Sequence, residues 1–324
     1  MRADDSSPEF SIIITCFFEE QSIDEFHARL SAALETLQRS YEIILVNDGS
    51  TDSTLAKLDA IFERDPRVTT VIDLFKNAGQ AAAITAGATH ARGRAFIFID
   101  SDLQLDPEEL PSLVAEYDKG FDVVSGYRRN RQDSLLRRVP SRLANAAMRR
   151  VSNADLRDFG CTFWIIDGRL VRAFEIGPFQ PIRLPYLIAG AGRCSEVPIT
   201  HHARRYGRSG WTFAKLLTYY LDSLVAVSPR PFQWLSGVLL LLGACFVLRL
   251  VVNFFRPFFF FAAVTNGLLL NAIVLSFLIG VAVSAALGEY VVRSYFMLLR
   301  HPAYVIRRVR SRSHGVASVD SCVQ

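Results

Sequence analysis

Two long stretches without a single charged side chain dominate the second half of this chain. Phe232 to Leu248 (FQWLSGVLLLLGACFVL) carries no charge, and after Arg249 the apolar run continues to Phe255. Pro257 to Gly288 is a second uncharged stretch, 32 residues long. A helix needs roughly 20 apolar residues to cross the hydrocarbon core of a bilayer. The pattern predicts two transmembrane helices, at about 232–254 and 266–288. A pair of buried core helices is the competing reading, but a core seldom demands apolar character on every helical face over such a length.

Orientation follows from the basic residues around these stretches. Arg204, Arg205, Arg208, Lys215 and Arg230 precede the first, Arg293, Arg300, Arg307, Arg308, Arg310 and Arg312 follow the second, and Arg256 stands between them. The positive-inside bias then places both termini in the cytoplasm. The N-terminal MRADDSSPEF is acidic and polar with no apolar h-region, so no exported leader is expected. Cys16, Cys161, Cys194, Cys245 and Cys322 have no paired spacing, which points to neither a disulfide framework nor a zinc site.

Residues 11 to about 228 read differently. Ser11–Thr15 and Glu42–Val46 are short β-branched runs. Between them Ile23, Phe26, Leu30, Ala33, Leu34 and Leu37 recur at helical spacing. Thr54–Arg64 follows as a helix, Val68–Leu74 as a strand, Gln80–Ala91 as a small-residue helix and Ala95–Ile99 as a strand. Repeated βα units predict a parallel sheet covered on both faces. Ligands of such sheets bind beyond the carboxyl ends of the strands. There the sequence gathers Glu19 and Glu20, Asn47 and Asp48, Asn77 to Gln80, and Asp100 and Asp102. Two carboxylates as near as Asp100 and Asp102 raise each other's pKa unless a cation or strong donors offset the repulsion. Asp102 and Gln104, two apart, would face one side of an extended segment and could reach one ion. Asp106, before Pro107, reads as a helix N-cap. Neither G-x-G-x-x-G nor a Walker loop occurs.

In this order the motifs resemble the family-2 glycosyltransferases of GT-A fold, a Rossmann-like α/β fold with a mostly parallel sheet. The resemblance rests on Thr15-Cys-Phe-Phe-Glu-Glu20, Val46-Asn-Asp-Gly-Ser-Thr-Asp52, Asn77-Ala-Gly79 and Asp100-Ser-Asp-Leu-Gln104. Asp158-Phe-Gly-Cys-Thr-Phe163, His201 to Ser209 and Leu287-Gly-Glu-Tyr290 extend it to the two-span polyprenyl-phosphate glycosyltransferases. That group includes bactoprenol glucosyltransferases and undecaprenyl-phosphate formamido-arabinose transferases. Processive synthases share the sheet but carry T-E-D and Q-x-x-R-W, whereas the nearest string here is Gln180-Pro-Ile-Arg-Leu184.

The resemblance implies a UDP-sugar donor held by Thr15, Phe17, Glu19, Asp48, Asn77, Gly79 and Asp100. It implies Mg²⁺ or Mn²⁺ on Asp100, Asp102 and Gln104, catalysis by Asp100 and Asp102, and Arg204 closing over the diphosphate. Phe17 stands where the family has Tyr. Arg128, Arg137 and Ser141 are then candidates for the phosphate of a polyprenyl (undecaprenyl) acceptor, since guanidinium forks match phosphate oxygens. They lie in the basic segment Tyr127–Val151, which could equally attract anionic headgroups, or nucleic acid were it not for the two spans downstream. An acceptor phosphate is already anionic near neutral pH, so direct inverting displacement is expected without a protein base.

The implied organisation is a cytoplasmic domain at 1–210, an interfacial amphipathic helix at 211–230, a transmembrane hairpin at 231–290 and a basic tail at 291–324. A bacterial inner membrane and a homo-oligomer, a tetramer in relatives, complete the expectation. Transfer to another membrane lipid, such as diacylglycerol, is the enzymatic rival. A nucleotide-sensing membrane protein without catalysis is the rival from another class.

Overall fold

The computed structural model describes residues 7–129, 145, 148–150, 154–174, 176–179, 181–182, 184–203, 205, 230–255, 266–298 and 301–312. The chain divides into two compact units, one formed by 1–223 together with 302–324 and the other by 224–301.

The first unit is built on an eight-stranded sheet of order β7-β5-β6-β4-β1-β2-β3-β8. Its strands are β1 (Phe10–Cys16), β2 (Tyr41–Asn47), β3 (Val68–Leu74), β4 (Ala95–Asp100), β5 (Val123–Arg129), β6 (Trp164–Asp167), β7 (Cys194–Thr200) and β8 (Ile306–Ser311). β4, β1, β2 and β3 run parallel, and β5 and β7 are parallel to each other. β6 is antiparallel to β4 and β5, and β8 to β3. The mostly parallel sheet is as expected, with β6 and β8 as its antiparallel members.

The helices between the strands are α1 (Ile23–Leu37), α2 (Thr54–Arg64), α3 (Gln80–Ala88) and α4 (Leu110–Tyr117), then α5 (Gly168–Ala173) and α6 (Leu184–Gly190). β1 is buried almost throughout because helices cover both faces, so Phe10, Ile12, Ile13 and Ile14 all lose their solvent contact. Along α1 five of the six residues picked out by spacing, Ile23, Phe26, Leu30, Ala33 and Leu34, are buried, together with His27 and Ser31, while Leu37 is only partly so. α3 packs close to the sheet because its residues are small, and a Cβ on Gly87 would lie 2.4 Å from Ile13 Cγ2.

The second unit contains α7 (Arg230–Phe255, 26 residues) and α8 (Asn266–Leu298, 33 residues). Within α8, Ala272–Val292 is long and apolar enough to cross a membrane; within α7 the apolar stretch is Ser236–Cys245. Two places differ from the organisation expected from sequence. α8 runs ten residues past Gly288, and Ile306–Ser311, inside the stretch expected to be a basic tail, is an edge strand of the first unit's sheet. Its charged composition, IRRVRS, hides a strand from hydropathy patterns, because the arginines, still partly exposed, are paired with acidic partners on α2 and β3.

Candidate active site

The chain order reverses at β1, which lies between β4 and β2, and in such sheets ligands bind beyond the carboxyl ends at the point of reversal. Register places Thr15 of β1 beside Asp100 of β4. Asp100 Oδ1 accepts from Thr15 Oγ1 at 3.2 Å and from Gln80 Nε2 at 2.6 Å. Its Oδ2 accepts from Gln80 Nε2 at 2.8 Å and from Thr162 Oγ1 at 2.7 Å. A carboxylate offers about four lone-pair sites, so donors from three elements orient Asp100. Sequence places Gln80 in the polar cluster after β3 but assigns it no role, and Thr162 is not among the candidates. The signal for both is adjacency, since Gln80 directly follows the Asn77-Ala-Gly79 motif and Thr162 closes Asp158-Phe-Gly-Cys-Thr. Thr162→Val removes one of these donors and is expected to lower turnover about tenfold with little loss of stability, as steady-state transfer and thermal unfolding would report.

Asp102 and Gln104 are near each other, but not for the reason expected. Leu103 has φ 57°, so the segment turns instead of extending. Asp102 Oδ1 caps that turn by accepting from the Gln104 amide at 3.1 Å. The loop is then fastened to the His201-His202 segment. The His202 amide donates to the Gln104 carbonyl at 2.9 Å, and Gln104 Nε2 donates to the His202 carbonyl at 3.3 Å. Gln104 Oε1 and the Asp102 carboxylate are the hard oxygens the loop offers.

Asp106 occupies the N-cap position of a 3₁₀ turn at Pro107–Glu109, yet its side chain makes no cap bond. Arg29 Nη2 and His202 Nε2 hold it instead, each at 2.7 Å. The expected capping role is thereby corrected, because charge-assisted bonds outcompete a neutral amide. Burial works against the charge, but His202 and Arg29 more than offset it and keep the Asp106 carboxyl below its usual range.

On the other side of β1, Asp48 organises the loop after β3. Its carboxylate accepts from Asn77 Nδ2 at 3.1 Å, the Ala78 amide at 2.7 Å and the Gly79 amide at 3.0 Å. Burial pushes its pKa up to about 6, against the pull of the Ala78 and Gly79 amides. Gly49, at φ 69°, packs on the same loop so closely that a Cβ would sit 2.3 Å from the Lys76 carbonyl carbon. The Phe17 and Phe18 rings lie 4.4 Å apart between centroids, and both are exposed. Glu19 is buried, its carboxylate accepting from Ser22 Oγ and its amide donating to Thr54 Oγ1 at 2.9 Å.

Thr15, Asp48, Asn77, Gly79, Asp100, Asp102 and Gln104 therefore share one edge of the sheet. Arg128 has a different engagement from the one expected. Its Nε and Nη2 donate to the two oxygens of Asp158 at 2.7 and 2.9 Å, so this fork pins the Asp158-Phe-Gly-Cys-Thr segment to β5. Arg137, Ser141 and Arg204, like the amphipathic stretch from Trp211, lie outside the described residues. Among the described residues no group of three or more His, Cys, Asp or Glu side chains converges as a metal cage.

A parallel sheet whose first four strands deliver oriented carboxylates, amides and exposed aromatic rings to one edge is the frame of a GT-A glycosyltransferase. The sequence signature described as Glycosyl transferase family 2 matches residues 11–174. The chain is 36% identical over 309 residues to an undecaprenyl-phosphate 4-deoxy-4-formamido-L-arabinose transferase of Klebsiella pneumoniae, covering 92% of this chain and 93% of the relative. It is 31% identical over 315 residues to a dodecaprenyl-phosphate galacturonate synthase of Rhizobium johnstonii, covering 94% and 93%. This protein belongs to glycosyl transferase family 2. In fold it is similar to glucosyl-3-phosphoglycerate synthase from Mycobacterium tuberculosis, at a TM-score of 0.50 and 20% identity over 68% of this chain and 79% of that one.

Proposed function

We propose that this enzyme transfers a sugar from a UDP-sugar to a polyprenyl phosphate, such as undecaprenyl phosphate, at the cytoplasmic face of a bacterial inner membrane. One observation carries the reading. The likeness to relatives whose names specify undecaprenyl or dodecaprenyl phosphate runs through more than nine-tenths of both chains, the apolar helices included.

The organisation supports it. The pairing of β8 with β3 in one sheet supports keeping the strands before and after the 224–301 unit on one side of a bilayer. On that reading the segment between them crosses an even number of times, which favours a hairpin of α7 and α8 over a single span. The arginines flanking that hairpin favour the cytoplasm for the catalytic unit.

In the proposed reaction Asp48, Asn77 and Gly79 frame the uridine, with Phe17 and Phe18 offering stacking faces. Asp102 and the Gln104 side-chain oxygen would hold a divalent ion. Two hard oxygens, with no cage of three or more His, Cys, Asp or Glu among the described residues, would suit Mg²⁺ or Mn²⁺, which commonly complete their shells with phosphate oxygens and water. Such an ion stabilises charge developing on the departing nucleoside diphosphate. Asp100, fixed by Thr15, Gln80 and Thr162, holds the base of that loop in place. The acceptor phosphate, with a second pKa of about 6, attacks the anomeric carbon directly and inverts it. Arg137, Ser141 and Arg204 are assigned to the acceptor phosphate and the diphosphate.

Purified protein incubated with undecaprenyl phosphate, Mn²⁺ and a panel of UDP-sugars is expected to yield a polyprenyl-phosphate sugar of matching mass. Product on diacylglycerol alone, or on neither lipid, would overturn the reading.

Asp48 adds a pH dependence. Its raised pKa of about 6 means the buried carboxyl is neutral below that pH and charged above it. An ionised carboxylate accepts the uracil N–H more strongly than a neutral carboxyl does, so UDP-sugar affinity is expected to fall as pH drops through about 6. Binding of the intact sugar nucleotide without acceptor, across pH 5 to 8, isolates this from titration of the lipid phosphate.

A further inference from the structure

β8 belongs to the catalytic sheet although 78 residues of the other unit, 224–301, separate it from the rest of that unit. Its arginines divide by partner. Arg308 pairs with Asp59 at 2.7 Å and Arg310 pairs with Glu63, both on α2, and Arg312, just past the strand, donates to the carbonyls of Phe62 on α2 and Val68 at the start of β3. Arg307 turns to the carboxyl end of β3. Its Nη1 lies 3.4 Å from Asp73 Oδ2, its Nη2 donates to the Phe75 carbonyl at 2.7 Å, and its guanidinium sits 5.3 Å from the Phe75 ring centroid.

Asp73 is only 2% exposed, and a carboxylate so buried requires donors or a cation. Arg307 supplies the cation, and Asn47 Nδ2 donates to Asp73 Oδ1 at 2.8 Å. Asn47 Oδ1 in turn accepts from the Ser50 amide at 3.3 Å, and Ser50 Oγ from the Phe18 amide at 3.1 Å. A continuous chain of polar contacts thus runs from β8 to the turn carrying Asp48 and to the Phe17-Phe18 pair. A second line leaves from Phe75, whose neighbour Lys76 begins the loop that Gly49 packs on and Asp48 holds.

We infer that Arg307 is a positioning residue for the donor nucleotide, setting the 47–50 turn and the 75–79 loop through Asp73 and Phe75. The strand that follows the apolar helices therefore has a part in donor binding as well as in closing the sheet edge. The nucleotide role rests on the donor reading above, whereas the ordering of the two loops does not.

The test uses the full chain in detergent and compares Arg307→Ala, Arg307→Lys and, as a control on the same strand, Arg308→Ala. Two quantities are read, UDP affinity by calorimetry and amide hydrogen exchange in fragments covering 47–50, 76–79 and the β3 and β8 ladders. Arg307→Ala is expected to weaken UDP about tenfold and to accelerate exchange at Ser50, Ala78 and Gly79, with the ladders still protected. Arg307→Lys keeps a charge for Asp73 but loses the fork and is expected to recover part of the affinity. Arg308→Ala should leave UDP affinity and both loops unchanged.

Loops as protected in Arg307→Ala as in wild type would overturn the inference. So would UDP affinity lost equally in Arg307→Ala and Arg308→Ala, or loop opening only together with the ladders, since each marks a strand anchor and nothing more. Wild-type protein that binds no UDP would sink the donor reading, while loop exchange in the variants would still decide whether Arg307 orders them.

Discussion

Asp102→Asn is expected to lower the turnover of sugar transfer by about a thousandfold while leaving the fold intact. The substitution keeps shape and still offers an oxygen to the Gln104 amide, which Asp102 Oδ1 accepts at 3.1 Å. It removes the negative charge from the proposed ion site, leaving Gln104 as a neutral ligand. A divalent ion that assists a diphosphate leaving group contributes several kcal/mol at the transition state, so poor ion occupancy costs roughly two to three orders of magnitude. Asp106→Asn is the informative neighbour. It lies on the same loop but weakens only the ties to Arg29 and His202, so a loss of about tenfold is expected there. Transfer rates at saturating Mn²⁺, with Mn²⁺ titrations of both variants, separate the two roles. Equal losses in the two variants would mean that Asp102 matters for the shape of the loop and not for its charge.

Much of this site is legible from sequence because strand ends are legible. β-branched runs fix the strands, parallel βα order fixes which edge is functional, and Thr15, Asp48, Asn77, Gly79 and Asp100 fall at that edge with no further information. What sequence spacing misjudges is local geometry. The period of two applied to Asp102 and Gln104 assumes an extended backbone, and Leu103 in the left-handed region breaks that assumption. Asp106 sits where a cap belongs, but a guanidinium and an imidazole from distant segments take it. Arg128 reads as a free cation because Asp158 is 30 residues away. β8 is the largest omission. Its arginines spell a solvated tail until Asp59, Glu63 and Asp73 face them across the sheet edge. Apart from the turn at Leu103, each miss is a long-range ionic contact, which no periodicity encodes.

Gly49→Ala is expected to destabilise the catalytic unit by roughly 3 kcal/mol, and to abolish tight nucleotide binding with it. Two costs coincide at this position. The backbone φ of 69° is one that a residue with Cβ rarely adopts, and the Cβ itself would lie 2.3 Å from the Lys76 carbonyl carbon and 2.5 Å from the Asn77 nitrogen. Those are main-chain atoms, so no side chain can rotate away. Relief requires the 76–79 loop to move, which breaks the amide bonds from Ala78 and Gly79 to Asp48. Gly79 separates the two costs, because it also has positive φ, at 90°, yet a Cβ there would meet nothing within 4 Å. Gly79→Ala is therefore expected to cost only about 1 kcal/mol, the conformational part. For a unit of this size the difference corresponds to a melting temperature lower by roughly 4–8 °C in the first variant than in the second. Thermal unfolding of both, with UDP titrations, checks the comparison. Similar melting temperatures would mean that left-handed strain alone, and not the packing of Gly49 on the neighbouring loop, makes glycine necessary there.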